Sequence, residues 1–259
     1  MAKFSANLGF LWTELPLAQR IAAAAHAGFG AVELHWPYEV PAADVARACA
    51  QHRVKLLALN SPLGDTAKGE FGLAALPGRE KDFLASMRIA ADYASRAGAA
   101  SVHVMAGLID PSVVAEARPA FLRNLRAAAD IAGEKGLRIL LEPLNRRDKP
   151  GYFYSTIAPA LEIIGELGFP HLRLMFDVYH VAVMEGDVTK KLEAHLASIG
   201  HVQIAAVPSR AEPDEGEIDF GHIVRALDRL GYEGWIGAEY KPRTTTQEGL
   251  GWYDRFRSI

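Results

Sequence analysis

The stretch Leu137–Asp177, LRILLEPLNRRDKPGYFYSTIAPALEIIGELGFPHLRLMFD, contains one full repeat of the chain. An apolar run ends in a carboxylate (LRILLE, Glu142), a connecting segment closes at Gly168, and a second apolar run ends in another carboxylate (LRLMFD, Asp177). The pattern continues with HVQI, which carries Gln203, and WIGAE, which ends in Glu239. Successive members lie 35, 26 and 36 residues apart, about one strand plus one helix per step. Four parallel strands spaced this way deliver Glu, Asp, Gln and Glu to one rim of a closed sheet. Oxygen ligands converging in this manner suit a hard divalent cation.

Outward from this stretch, one phrase recurs: helical periodicity, a glycine, then a short hydrophobic strand. It occurs as AGFGAVELH (Ala27–His35), AGAASVHVM (Ala97–Met105), KGLRILLEP (Lys135–Pro143), LGFPHLRLMFD (Leu167–Asp177) and LGYEGWIGAEY (Leu230–Tyr240). Glycine past a helix end takes the left-handed conformation that closes it. Phe83, Met87, Ala90, Ala94 and Ala97 show the apolar helical period, as do Leu122, Leu125, Ala129 and Ala132. Eight strands are expected near 4–10, 31–35, 54–60, 101–105, 137–142, 172–177, 201–206 and 235–240, each followed by a helical stretch, the last over 246–257. With 259 residues, no linker and no change of composition, the expected architecture is α/β, a single (β/α)8 barrel domain over 1–259. A doubly wound sheet also alternates β and α. It would spread the polar strand ends apart, and no GxGxxG or GxxxxGK[ST] follows an early strand.

Half of the residues are hydrophobic, ample for a core, and the formal net charge is −3. Without a basic run, the sequence shows no electrostatic footprint for nucleic acid or an anionic membrane. No segment reaches the uninterrupted apolar length of a membrane span, and the N-terminus does not read as a targeting signal. A cytoplasmic protein is expected, and a homo-oligomer is compatible with the sequence. The single cysteine, Cys49, lies in an alanine-rich helical stretch and reads as a buried helix residue.

Strand alternation puts Glu142 on a face with Leu140, Asp177 with Met175, Gln203 with His201, and Glu239 with Gly237. If these faces point inward, the four polar groups form the upper layer of the barrel. Carboxylates buried there are costly unless a cation or strong hydrogen bonds compensate them. Each acid taken alone also fits a helix cap or an ion pair with an arginine such as Arg146 or Arg243.

The segments LEPLN with RRDKPGYF, MFDVYH, HVQIAAVPSRAEPDEGEID and YEGWIGAEYKPR resemble the hydroxypyruvate isomerase family of the xylose isomerase-like barrels. The likeness covers nearly the whole chain, including NSPLGDTAKGEFGLAALPGR (Asn60–Arg79), and is strongest over Leu141–Arg243. It implies an aldose–ketose isomerase of a small hydroxy-oxo acid, with a divalent metal held by Glu142, Asp177, Gln203 and Glu239. Hydroxypyruvate is the substrate this suggests first, and a four-carbon 2-oxo-tetronate second. An oxygen-rich shell with one amide admits magnesium, manganese or cobalt.

The chemistry fits the residues independently. Isomerising a 2-oxo-3-hydroxy acid removes a proton from the hydroxyl-bearing carbon, passes through an enediolate and returns a proton to the adjacent carbon, a task for the pair Glu142 and Glu239. The resemblance further suggests that His180 hydrogen-bonds a substrate oxygen. Arg210, in PSRAEPDEGE, could grip a substrate carboxylate or pair with Glu212, Asp214 or Glu217. Glu70 lies in the loop after strand three, where a lid would sit over substrate; the resemblance leads one to expect arginine beside it, and this chain has Phe71. His35 and His103 read as barrel-lining residues, and Phe10, Trp12 and Trp36 as core or rim packing.

Competing readings are a ketose 3-epimerase, an inosose dehydratase, an endonuclease acting at abasic sites, and a non-catalytic metabolite-binding barrel. A nuclease calls for a histidine-rich multi-metal shell and a basic surface. The glutamine at the strand-seven position and the acidic balance argue against it.

Overall fold

Parallel strands buried on both faces need helices outside and a filled interior, and the chain meets both needs. The computed structural model describes residues 2–259. Eight strands, β1 (Phe4–Asn7), β2 (Ala31–Glu33), β3 (Lys55–Asn60), β4 (Ser101–His103), β5 (Arg138–Leu141), β6 (Leu172–Asp177), β7 (Ile199–Ile204) and β8 (Ile236–Ala238), pair parallel in chain order, and β8 closes on β1. Closure excludes the doubly wound sheet. The helices around it are α1 (Leu17–His26), α2 (Ala42–His52), α3 (Glu80–Ala97), α4 (Val114–Gly133), α5 (Ile157–Leu167), α6 (Val178–Met184), α7 (Val188–His195), α8 (Phe220–Arg229) and α9 (Gly251–Arg257). None of these helices is long and apolar enough to cross a membrane.

The glycines of the five repeated junctions, Gly28, Gly98, Gly136, Gly168 and Gly231, all have positive φ, as a helix-closing role requires. The strands are mostly shorter than expected, because an apolar run continues past the point where its neighbours still supply hydrogen bonds. Glu142 and Glu239 therefore stand one residue beyond β5 and β8. β7 starts earlier than expected, at Ile199, which pairs with Leu174 across a register shift. In place of one helix over 246–257 there is a 3-10 turn, Glu248–Leu250, followed by α9; Thr246 is buried and its Oγ1 accepts the Trp12 N–H at 2.8 Å.

Alternation divides the buried residues into two layers. Val32, Val102, Ile139, Leu141, Leu174, Phe176, Val202 and Ile204 face outward and pack under the helices in one large core that also takes in Cys49. Ala58, Leu140 and Met175 form a separate small cluster inside the barrel. The other inward residues are mostly polar: Ser5, Asn7, Glu33, His103, Asp177, His201 and Gln203 are all buried. This polar filling is costly for folding and is where the chemistry lies.

Candidate active site

The register places Asp177 opposite Gln203 and Gln203 opposite Gly237, so three neighbouring strands bring their inward ends together. Asp177 has two tasks. Its Oδ1 accepts the Tyr179 N–H at 2.8 Å and caps α6, while its buried Oδ2 has no hydrogen-bond partner among the described residues. The capping expected of a strand-end acid is therefore present, and it leaves one oxygen for the site. Gln203 donates its Nε2 to Glu33 Oε2 at 2.8 Å and, at closer range, to Glu239 Oε2, which leaves its Oε1 unpartnered. Glu142 has Oε2 3.3 Å from His103 Nδ1, and its Oε1 is likewise unpartnered.

His180 stands beside these oxygens, with Nε2 3.6 Å from Glu142 Oε1 and 3.5 Å from Asp177 Oδ2. Its Nδ1 faces two donors of Asn145, the main-chain N–H at 3.1 Å and Nδ2 at 2.7 Å. An acceptor at Nδ1 assigns the proton of a neutral ring to Nε2. Burial, and then Arg210, pulls the His180 pKa down to about 3, so the ring is neutral and presents an N–H to the carboxylates.

Glu239 is held from several sides. Asn7 Nδ2 donates to Oε2 at 2.8 Å, Arg210 donates to Oε1 at 2.8 Å, and His35 Nε2 lies 3.8 Å away. Burial works against its ionisation but is outweighed by His35 and Arg210, and its pKa falls to about 2. Glu142 is the opposite case. Burial first, then the charges of Glu239 and Asp177, push its pKa well above the ordinary carboxylate range. The same burial raises Asp177 to about 7 despite Arg210.

The Arg210 guanidinium turns inward, to Glu239, to Asp148 at 3.4 Å and towards Asp177 at 4.0 Å. Of the partners considered for it within its own loop, Glu212 and Asp214 bind Arg243 instead, at 3.0 Å and 2.9 Å, and Glu217 forms no ion pair with Arg210; Arg243 also binds Glu215 at 2.8 Å. The terminal nitrogens of Arg210 hold one carboxylate each, Asp148 and Glu239, while its Nε has no partner among the described residues and the side chain lines the cavity. Buried carboxylates require a counter-charge, and this guanidinium lies within their reach. Its loop is fixed by Arg210 N–H to Ala206 O and Lys241 N–H to Arg210 O, both 2.8 Å, with Arg210 itself at φ 57°.

Glu142, His180, Arg210 and Glu239 open onto one cavity of about 470 Å3 that also includes Phe10, His35, Trp36, Phe71, His103 and Lys149. Trp12 instead packs in the core. Glu70 is not among the cavity residues. Its carboxylate accepts from Arg79 and, at 2.6 Å, from the Asp65 N–H, so it braces its own loop while the neighbouring Phe71 faces the cavity.

Comparison with known proteins places this geometry. Residues 21–256 match the model of the xylose isomerase-like TIM barrel family. The chain belongs to that family. It is 45% identical over 253 residues to a 2-oxo-tetronate isomerase of Cupriavidus necator, covering 97% of each chain. It is 36% identical over 258 residues to the hydroxypyruvate isomerase of Escherichia coli, covering 99% of this chain and all of the relative. A solved Brucella melitensis structure, described as an AP endonuclease of family 2, superposes with a TM-score of 0.96 at 39% identity over 99% of both chains.

In this xylose isomerase-like barrel, Glu142 and Asp177 lie with His180 in a group whose polar atoms are within 4.8 Å of one another, and the two carboxylates could hold a metal ion. The orphaned, buried oxygens Glu142 Oε1, Asp177 Oδ2 and Gln203 Oε1 fit a hard cation. The Asn145 bonds make His180 a donor rather than a ligand. Reading the strand ends missed Glu33, which sits lower in the barrel, accepts Ser5 Oγ at 2.6 Å and lies 3.0 Å from His201 Nε2. It is the inward residue two before His35, so the alternation applied to the other strands would have found it. Gly237 leaves the room, since a Cβ there would collide with the Glu33 carboxylate. Asn145, Asp148 and Tyr179 lie in the segments LEPLN, RRDKPGYF and MFDVYH but were not singled out, because their roles arise only where loops meet.

Proposed function

We propose that the protein is a metal-dependent aldose–ketose isomerase of a small hydroxy-oxo acid, converting hydroxypyruvate to 2-hydroxy-3-oxopropanoate (tartronate semialdehyde) or, by the same proton shifts, a 2-oxo-tetronate to the 2-hydroxy-3-oxo isomer. The observation that carries this reading is geometric: Glu142 and Glu239, from the ends of β5 and β8, open onto one cavity beside the buried, unpartnered oxygens of Glu142, Asp177 and Gln203. Two carboxyl groups facing one substrate cavity from different strands are suited to base and acid roles. Glu239 takes the proton from carbon 3 of hydroxypyruvate, and Glu142 delivers one to carbon 2. The hydroxyl proton passes from oxygen 3 to oxygen 2, so the product is an isomer. The His180 N–H hydrogen-bonds a substrate oxygen as charge develops on the enediolate. Arg210 keeps Glu239 ionised and adds positive potential beside the substrate. Glu142, Asp177, Gln203 and Glu239 would hold a divalent cation, with magnesium, manganese or cobalt all suited to the donors, and it would supply positive charge that offsets the developing enediolate.

Identity of 45% to a 2-oxo-tetronate isomerase, against 36% to a hydroxypyruvate isomerase, gives the four-carbon acid equal standing as substrate. One hydroxymethyl group is a difference of only about 1 to 3 kcal/mol. The test is NMR in deuterium oxide with each acid, with Mg2+ or Mn2+ and again with chelator. Metal-dependent deuterium uptake together with formation of the 2-hydroxy-3-oxo isomer is expected. Uptake at carbon 3 of 2-oxo-tetronate without that isomer would indicate an epimerase, and no uptake with either acid would remove the isomerase assignment.

A further inference from the structure

Three cations, Lys149, Arg210 and Lys241, line the cavity that holds Glu142 and Glu239. Arg210 is engaged by Glu239 and Asp148, and Lys241 is largely exposed. Lys149 is half-buried, and among the described residues no carboxylate lies within ion-pair distance of its Nζ. The carboxylate next to it in sequence, Asp148, is held by other groups: its Oδ2 accepts from Tyr179 at 2.9 Å, Asn145 at 3.2 Å and Arg210 at 3.4 Å.

The position of Lys149 is nonetheless fixed. Its N–H donates to Asn145 O at 3.0 Å and its carbonyl accepts the Tyr152 N–H at 3.2 Å, which sets the turn leaving β5. Gly151 and Phe153 then bond to the loop leaving β4, Ile109 N–H to Gly151 O at 2.8 Å and Phe153 N–H to Gly107 O at 3.1 Å. The ammonium lies 3.8 Å from the centroid of the Phe71 ring. An aromatic face attracts a cation without neutralising it, and it occupies only one side of the three-donor ammonium. Burial and the charge of Arg210 hold the lysine pKa below its ordinary value, as expected of a cation lacking a counter-ion.

We propose that Lys149, seated on Phe71, receives the carboxylate of the acid substrate and so selects acids over neutral ketoses. This assignment rests on the isomerase reading above and names its anion-binding residue. An acid entering a cavity that already contains Glu142, Glu239 and Asp148 meets repulsion except where an uncompensated cation faces it. Lys149 supplies that place, in the loop that begins at Glu142, so one segment presents both the proton donor and the anchor of the substrate. Phe71 fits the same account, since a neutral ring there positions the lysine without competing for the anion.

The test is steady-state kinetics of the metal-loaded enzyme on hydroxypyruvate and 2-oxo-tetronate, comparing wild type with Lys149→Met, Lys149→Arg and Phe71→Leu. Losing a charge-assisted hydrogen bond of the usual strength should raise KM for both acids in Lys149→Met by about 10- to 100-fold, with kcat changed far less. Lys149→Arg should recover most of the loss, and Phe71→Leu should raise KM by a smaller factor. An unchanged KM in Lys149→Met, a fall in kcat alone, or no recovery with arginine would overturn the assignment. Should wild type convert neither acid, the isomerase reading fails and takes this assignment with it. Wild-type turnover with an unaffected Lys149→Met variant removes Lys149 alone.

Discussion

Glu142 and Glu239 are chemically identical side chains that neighbours drive in opposite directions. Glu239 has Asn7, Arg210 and His35 around it, whereas Glu142 faces neutral His103 and His180 and two other carboxylates. Glu142→Gln and Glu239→Gln should each lower kcat by roughly 10²- to 10⁴-fold, the usual worth of a positioned acid or base. Near-normal turnover by either variant, measured with metal present, would cost that residue its role. Glu33 acts one layer lower, by accepting from Gln203 Nε2 and so turning Oε1 towards the cavity. Glu33→Gln should weaken Mn2+ binding about 10- to 100-fold by calorimetry, the scale seen when a ligand loses its orienting partner; unchanged affinity would show that Gln203 is oriented without it. The strand-end residues Glu142, Asp177, Gln203 and Glu239 were legible in the sequence because strand alternation is a local rule. The pairing of Glu70 with Arg79 was not legible, because which side chain of a loop turns inward depends on what its neighbours bind.

The loop from β3 to α3 shows how an element fixes a side chain. Gly72 has φ 110°, and a Cβ on it would lie 2.5 Å from the Met105 carbonyl oxygen, so only glycine allows this loop to bridge to Ala106 beside Phe71. Gly72→Ala should cost about 1 to 3 kcal/mol of stability, lower Tm by several degrees in a thermal scan, and raise KM as Phe71 shifts. An unaltered Tm would show that the loop is not held at this point. The five helix-closing glycines were readable because a left-handed residue after a periodic segment is a local requirement. The ends of the strands were not, since a ladder lasts only as long as the neighbouring strand supplies partners.

For the whole molecule, the buried polar interior makes stability depend on pH in the chelator-treated protein. Asp177 and Glu142 keep protons in the folded state above their unfolded values, Asp177 to about pH 7 and Glu142 well above the ordinary carboxylate range, so each lowers stability as pH rises. His103, which burial pulls down to about 4, and His180, at about 3, have the opposite sign and add stability as pH rises to roughly 6.5, where unfolded histidine finishes losing its proton. Glu239 contributes only at more acid pH, its stabilisation being lost as pH falls from roughly 4.3 towards about 2. The opposing terms offset one another up to roughly pH 6.5, and above it the two carboxyls act alone. Scanning calorimetry should therefore show Tm nearly level from pH 5 to 6.5 and falling by pH 8.5, with Mn2+ raising Tm more at pH 8.5 than at 6.5. A Tm that climbs through pH 8.5 would mean that both carboxyls are already ionised in the folded chain. The sequence by itself determined the alternating β/α order, the glycine helix ends and the four polar strand ends, because each follows from periodicities of a few residues. Only the tertiary structure decided that Arg210 serves Glu239, that Glu70 braces a loop, and that Glu33 and Lys149 belong to the interior. Those outcomes depend on which charges become neighbours once water is excluded, and contacts between distant segments leave no trace in local spacing.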